Sequence, residues 1–194
     1  MNQARGLAYS WVMPVEHVPY DPGWPAQFEA ARAELLPLVS PEGTIEHIGS
    51  TSIPGCAAQP IIDILVQLPT LPLDWEPMID LGYEELLGDG GVNQVFYREA
   101  PRNKVHVTQT GSKYAHDRLL FRDFLRQHLE RSQQYEQLKA EQAAAHPDSE
   151  GAYTAGKTAF VAETLALSEA AGASAEPDIP ASRAVAHESE TPLL

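Results

Sequence analysis

The sequence predicts an α+β domain, and three observations predict it. Two β-rich stretches, Ile45–Ile48 and Ile61–Val66, flank a Gly/Ser turn. A second pair, Val92–Arg98 and Lys104–Gln109, follows the glycine-rich Gly88–Gly91. Long stretches with apolar residues three and four apart precede and follow these strands. The chain has 194 residues and 43% hydrophobic content, which suits one domain of roughly 150 residues with tails.

Residues 1–14 lack periodicity and read as an N-terminal extension. Val15–Tyr20 reads as extended, and Asp21-Pro22-Gly23 as a turn. From Trp24 to about Leu36, Phe28, Ala31, Leu35 and Leu36 follow helical spacing, and Pro37 helps stop that helix. Ile45-Glu46-His47-Ile48 alternates apolar and polar residues, as a half-buried strand does, and stops at Gly49-Ser50. Ile61–Val66 is too short for a helix and rich in β-branched residues, so it reads as an interior strand. Pro69–Pro72 is a loop, with Asp74 as N-cap of a short helix that ends before Gly82. The strands Val92–Arg98 and Lys104–Gln109 form a hairpin whose connection, containing Pro101 and Asn103, is longer than the tightest type. Helices are expected over Ala115–His128, about Ser132–Ala145, and Gly151–Ala171. From Gly172 onward the chain is rich in Ala, Ser, Glu and Pro, so residues 171–194 read as a disordered acidic tail.

The single cysteine, Cys56, excludes an internal disulfide and a Cys-rich zinc cluster, and points to a reducing cytoplasm. No apolar run is long enough to span a bilayer, so no membrane partner is expected. A net charge of −14 argues against general nucleic-acid binding, because a polyanion is repelled by the average surface. The cations are unevenly placed: none lies between Ala33 and Tyr97, and nine of the thirteen fall between Arg98 and Lys139. A phosphate near the Gly/Ser turn must therefore be met mostly from the later segment.

Chemistry concentrates in Ile45–Val66. Gly49 lets backbone approach a ligand, and Ser50, Thr51 and Ser52 add hydroxyls, the makings of an anion cradle. Gly-Ser-Thr-Ser before Pro54-Gly55 is also an ordinary turn cluster, and both readings stand at this point. Asp63 sits inside an apolar strand, where a carboxylate is costly unless donors or a cation meet it. A site is one explanation and a structural, donor-satisfied Asp the other. In the strand after Lys104, His106 points away from Val105 and Val107 and shares the Asp63 face if the two strands are neighbours. His47, Asp63 and His106 form a mixed constellation suited to Zn, Mn or Fe, though without short metal-ligand spacing. Arg118, Arg122 and Arg126 are four apart on a helix, a ridge that is either solvated or turned to an anion. Gly151–Thr158 matches the P-loop pattern formally, but a helix rather than a strand precedes it, so only Lys157 is retained as a phosphate ligand. Ser50 and Ser52 lack the nucleophile-elbow context of a hydrolase.

Taken together, VPYDPGWPAQF, IEHIGSTSIPG with PIIDI, VHVTQTGS, LLFRDFLRQH, and Tyr135, Lys139, Tyr153 and Lys157 resemble the GrpB family over about Val15–Ser168. That family is a branch of the nucleotidyltransferase superfamily, related in fold to DNA polymerase β. The resemblance implies a mixed β-sheet of nucleotidyltransferase type packed against several helices, with C-terminal helices completing a domain over residues 15–170. Ile48-Gly49-Ser50 and Asp63 fit the first part of the superfamily signature. Leu65 stands where active superfamily members place a second carboxylate, and Gln59 where GrpB proteins usually have a Lys.

The resemblance implies a nucleotide or other phosphorylated small molecule as partner. Gly49, Ser50 and Thr51 would hold phosphate, and Arg118, Arg122 and Lys157 would neutralise charge. Asp63 would coordinate Mg²⁺ or Mn²⁺ with help from His47 or His106, the three making the catalytic set of a metal-dependent nucleotidyl transfer. With no acid at Leu65, a catalytically inactive ligand-binding or adaptor domain of the same fold is the alternative, and a mononuclear metal hydrolase on His47, Asp63 and His106 a third reading. The oligomeric state is not legible.

Overall fold

A computed structural model describes residues 15–71, 76–86 and 93–172. The extension at residues 1–14, the Asp74 cap, the Gly88–Gly91 turn and the tail beyond Gly172 lie outside the described residues.

Helix α1, Trp24–Leu35, has Pro25 in its first turn, where a missing N–H costs nothing, and buries Trp24, Phe28, Ala31 and Leu35 at helical spacing. Strands β1 (Thr44–Ile48), β2 (Ile62–Leu68), β3 (Glu84–Leu86), β4 (Asn93–Glu99) and β5 (Arg102–Gln109) form one mixed sheet in the order β1-β2-β5-β4-β3. β1 pairs antiparallel with β2, β2 parallel with β5, and β5, β4 and β3 continue antiparallel. The short helix α2, Glu76–Asp80, lies between β2 and β3.

The period of two sends alternate residues of each strand to opposite faces. Ile62, Ile64, Val66, Val105, Val107 and Phe96 go to one face with α1, Met78 and Tyr83, forming the main core. Ile48 and Leu65 go to the other and meet Ala115 and Leu119 of helix α3, Lys113–Gln127. Helices α4 (Leu129–Ala145), α5 (Glu150–Ala155) and α6 (Thr158–Ala170) complete that side. Ile53 and Cys56, from the excursion between β1 and β2, pack there against Leu125, Tyr135, Phe121 and Phe160.

The α+β class and mixed sheet are as expected, and four local expectations are corrected. The β4–β5 connection is only Ala100-Pro101, because Glu99 pairs with Arg102; Asn103 is a strand residue, buried at 1% exposure. Strand β3 was not anticipated, being three residues of which two are exposed acids. Helix α3 starts earlier, with the Ser112 hydroxyl accepting from the Ala115 N–H. The last helix is two, broken at Gly156-Lys157, where the Gln142 side chain of α4 lies against Gly156 in the space a Cβ would take.

Candidate functional site

Strand β1 runs straight into the turn that shapes the site. Gly49 has φ +70° and ψ −175°, a conformation open essentially to glycine alone. The register explains why glycine is needed twice over. Ile48 stands opposite Asp63 across the β1–β2 ladder, and a Cβ on Gly49 would overlap the Asp63 carboxylate. Ser50–Ser52 then form one tight helical turn, closed by Ser52 donating its hydroxyl to the Gly49 carbonyl at 2.6 Å.

Parallel pairing of β2 with β5 places Asp63 beside Lys104 and Leu65 beside His106, all on the face that meets α3. His106 Nε2 lies 3.4 Å from Asp63 Oδ1, and His106 Nδ1 lies 2.7 Å from the Tyr114 hydroxyl. Burial pushes the His106 pKa down, and the Asp63 charge only partly opposes it, so the ring is neutral. The consistent arrangement is Tyr114 O–H donating to Nδ1 and Nε2–H donating to Asp63. For Asp63, burial acts upward, but the His106 hydrogen bond and the nearby positive charges prevail and hold the carboxyl below its ordinary range. Asp63 is an ionised acceptor supported by a tyrosine–histidine chain.

Two adjoining chambers open over Asp63. The smaller, about 190 Å³, is walled by the Gly49-Ser50-Thr51 turn, Asp63, Lys104 and Lys157, with Tyr135 and Tyr153 behind. The larger, about 480 Å³, shares Gly49, Asp63 and Lys157 and continues along Phe121, Val161 and Leu165, with Arg118 and His106 on its rim. Lys157 stands in both, because the α5–α6 break turns it inward, its amine 3.6 Å over the Tyr153 ring. Burial, reinforced by Lys139, lowers its pKa to about 8, against the upward pull of Asp63 and Glu150. Lys104 makes a loose contact with Glu150 at 3.8 Å. Burial also raises the Tyr135 phenol, which hydrogen-bonds Ser50.

The predicted site residues separate into two groups. Gly49, Ser50, Thr51, Asp63, His106, Arg118 and Lys157 do come together. Arg118 lies with its guanidinium 3.2 Å over the Tyr114 ring and donates to the Tyr114 carbonyl. His47 does not join them. It points to the other face, stacked on Phe28 at 4.7 Å, with Nε2 3.0 Å from Thr51 Oγ1. Since that hydroxyl donates to the Ile61 carbonyl, Nε2 carries the proton. Burial lowers the His47 pKa to about 4, so it is a neutral prop beneath the turn rather than a partner of Asp63.

Arg122 is likewise corrected. Its side chain is 2% exposed, donating to Glu46 Oε2 at 2.9 Å, to the His47 carbonyl at 3.0 Å and to Asp123 at 2.7 Å. It ties α3 to β1 and lines neither chamber over Asp63. The arginine ridge thus splits: Arg118 faces the site, Arg122 is buried, and Arg126 donates to the Ser52 carbonyl. Lys104 was missed as a site residue, although its place two before His106 put it on the same strand face. Tyr114 carried no local signal, and Tyr153 entered only through the family resemblance, since their roles depend on where α3 and α5 pack.

The donor set decides about a divalent cation. Asp63 is the carboxylate beside His106, Leu65 fills the position two residues on at 0% exposure, and Glu46 on the same face is engaged by Arg122. Among the described residues no group of three His, Cys, Asp or Glu side chains could hold a metal ion. These residues build no all-protein Mg²⁺ or Mn²⁺ cage and no two-metal centre; a cation here would be held by Asp63 together with water and ligand phosphate oxygens. The P-loop pattern is also set aside: α4 precedes it, and its residues form α5 and the break.

The model of the GrpB protein family matches residues 14–167. The chain is similar to UPF0157 protein YqkA of Bacillus subtilis, 36% identical over 156 residues, covering 76% of this chain but only 45% of that protein's length. It is 37% identical over 153 residues to a UPF0157 protein of Deinococcus radiodurans, covering 75% of this chain and 78% of the relative. A crystal structure of GrpB from Enterococcus faecalis superposes with a TM-score of 0.73 at 30% identity, covering 81% of this chain and 99% of that one.

Proposed function

The chain belongs to the GrpB protein family, and from that premise we propose that it binds a phosphorylated small molecule, with nucleotides among the candidates, in the chambers over Asp63. One observation carries the reading: Lys104 and Lys157 enter the same small chamber as the Gly49-Ser50-Thr51 turn. Two ammonium groups beside the Ser50 hydroxyl and a glycine-opened backbone are what a phosphate needs. Lys157 is partly desolvated, so an arriving dianion gains more from it than from a solvated lysine.

The reading is ligand binding rather than metal-dependent nucleotidyl transfer. Transfer by two metals needs clustered carboxylates, and this face offers Asp63, with Leu65 where a second acid would stand and Glu46 committed to Arg122. Asp63, fixed by His106, is suited to accept a hydrogen bond from a ligand hydroxyl or amine. It also sets the charge around Lys157.

The test is thermal unfolding of the purified chain against a panel of phosphate compounds, with and without Mg²⁺. Binding to the folded state raises the midpoint with ligand concentration. A rise is expected for at least one phosphate compound without added metal, lost in Lys157→Met and reduced in Lys104→Ala. A rise that survives both substitutions would place the phosphate elsewhere and end the proposal. No membrane role enters it: no helix among the described residues is long and apolar enough to cross a bilayer.

A further inference from the structure

We infer that the ligand carries a single phosphate joined to an apolar ring system, the phosphate seated in the lysine chamber and the ring in the adjoining one. The inference rests on the binding proposed above and adds the class of ligand. The two chambers are continuous through Gly49, Asp63, Tyr135 and Lys157 but differ in chemistry. The first is polar, with Ser50, Lys104 and Lys157. Its volume of about 190 Å³ is the room of about six waters at roughly 30 Å³ each, enough for one phosphate and close neighbours.

The second chamber is too large and too apolar to be more of the same. Its volume of about 480 Å³ lies within the roughly 300–1,000 Å³ of small-molecule pockets, whose walls are mostly apolar with a few polar groups that orient the ligand. Phe121, Val161 and Leu165 supply such a wall, with Ile48 at its base. Phe121 is itself fixed edge-on to Tyr135, ring centres 5.2 Å apart, which presents a rigid surface rather than a mobile one. The polar groups at the rim are Arg118, Asp117 and His106. Arg118 is held on the Tyr114 ring and by the Tyr114 carbonyl, so its guanidinium is placed before a ligand arrives. A bare phosphate or a small sugar phosphate would leave this wall wet.

Charge sets the number of phosphates. The first chamber presents Lys104 and Lys157 against Asp63 and Glu150, and Arg118 adds one cation from the second. Three cations against two carboxylates leave a small positive excess, enough to attract one phosphate and too little for a string of them. Without a metal, a triphosphate would bring about four negative charges towards an ionised Asp63 and only three cations.

Isothermal titration of the whole chain with inorganic phosphate, ribose phosphate, adenosine monophosphate and adenosine triphosphate, the last with and without Mg²⁺, tests this. The monophosphate should bind at least roughly tenfold tighter than ribose phosphate, and the triphosphate no tighter than the monophosphate. In Val161→Arg and, independently, Leu165→Arg, both half-buried positions on α6, the advantage of the monophosphate over ribose phosphate should collapse, with circular dichroism confirming the fold. Equal affinity for ribose phosphate and the monophosphate overturns the inference while leaving phosphate binding intact, as does a preference for triphosphate with Mg²⁺. Failure of every phosphate to bind overturns the binding proposal itself.

Discussion

At the scale of the residue, Gly49 and Asp63 cannot be understood apart. The φ of +70° and the space taken by the Asp63 carboxylate both demand glycine, and the same close approach opens the turn towards a ligand. Gly49→Ala therefore meets backbone strain of about 1–3 kcal/mol plus the overlap, and urea unfolding should show a loss of at least that size. His47 gives a second prediction. Its pKa is about 4 in the folded chain against an ordinary 6.5. As pH falls from about 6.5 towards 4 the unfolded chain takes up this proton first, so stability is full above about 6.5 and declines over that window. The loss is of order 3 kcal/mol by the value of a pKa unit. In His47→Gln, which keeps a donor for Thr51, the acid limb of an unfolding-energy profile should be shallower by about that amount.

At the scale of the element, the site depends on how α3 and the α5–α6 break are pinned. Arg122 joins α3 to β1 through Glu46 and the His47 carbonyl, in a setting where removing one partner strands a buried charge. Arg122→Ala should cost about 3–5 kcal/mol, and Glu46→Leu combined with Arg122→Met should recover the part due to stranding Glu46, with Asp123 and the His47 carbonyl still lacking their donor. Chemical unfolding of the single and double variants reads the difference. The start of α3 rests on Ser112, whose hydroxyl caps the helix and lies 2.9 Å from the Thr108 hydroxyl at the end of β5. Ser112→Ala should cost about 1 kcal/mol and loosen the Tyr114–His106 contact in the same first turn, visible as a shift in the His106 ring resonances.

At the scale of the whole molecule, a mixed sheet separates a dry core on α1 from a working face under α3 and α6. Much of this was legible in the sequence. Ile61–Val66 read as an interior strand, which Ile62–Leu68 is, and the lone acid within it drew attention to Asp63. The alternation around His106 was enough to place that ring on the Asp63 face once the two strands were neighbours. What sequence could not supply was depth. Arg118, Arg122 and Arg126 look equivalent at helical spacing, yet the packing of α3 on β1 buries only the middle one beside Glu46. His47 alternates correctly but on the opposite face, because Ile48 and not His47 pairs with Asp63. Lys157 came to notice through a motif that does not operate here, and reaches the site because it stands at the break between α5 and α6. The central claim, that Lys157 and the Gly49 turn form an anion site, is tested most directly by phosphate affinity as a function of pH. Burial and Lys139 set the Lys157 pKa near 8, with Asp63 and Glu150 opposing and Lys104 adding a smaller push downward. Affinity should therefore fall as pH rises above about 8, where the amine loses its proton, and in Lys157→Arg, which stays charged, that fall should disappear. Affinity that is flat above pH 8 in the wild type, or a profile unchanged in Lys157→Arg, would contradict the account.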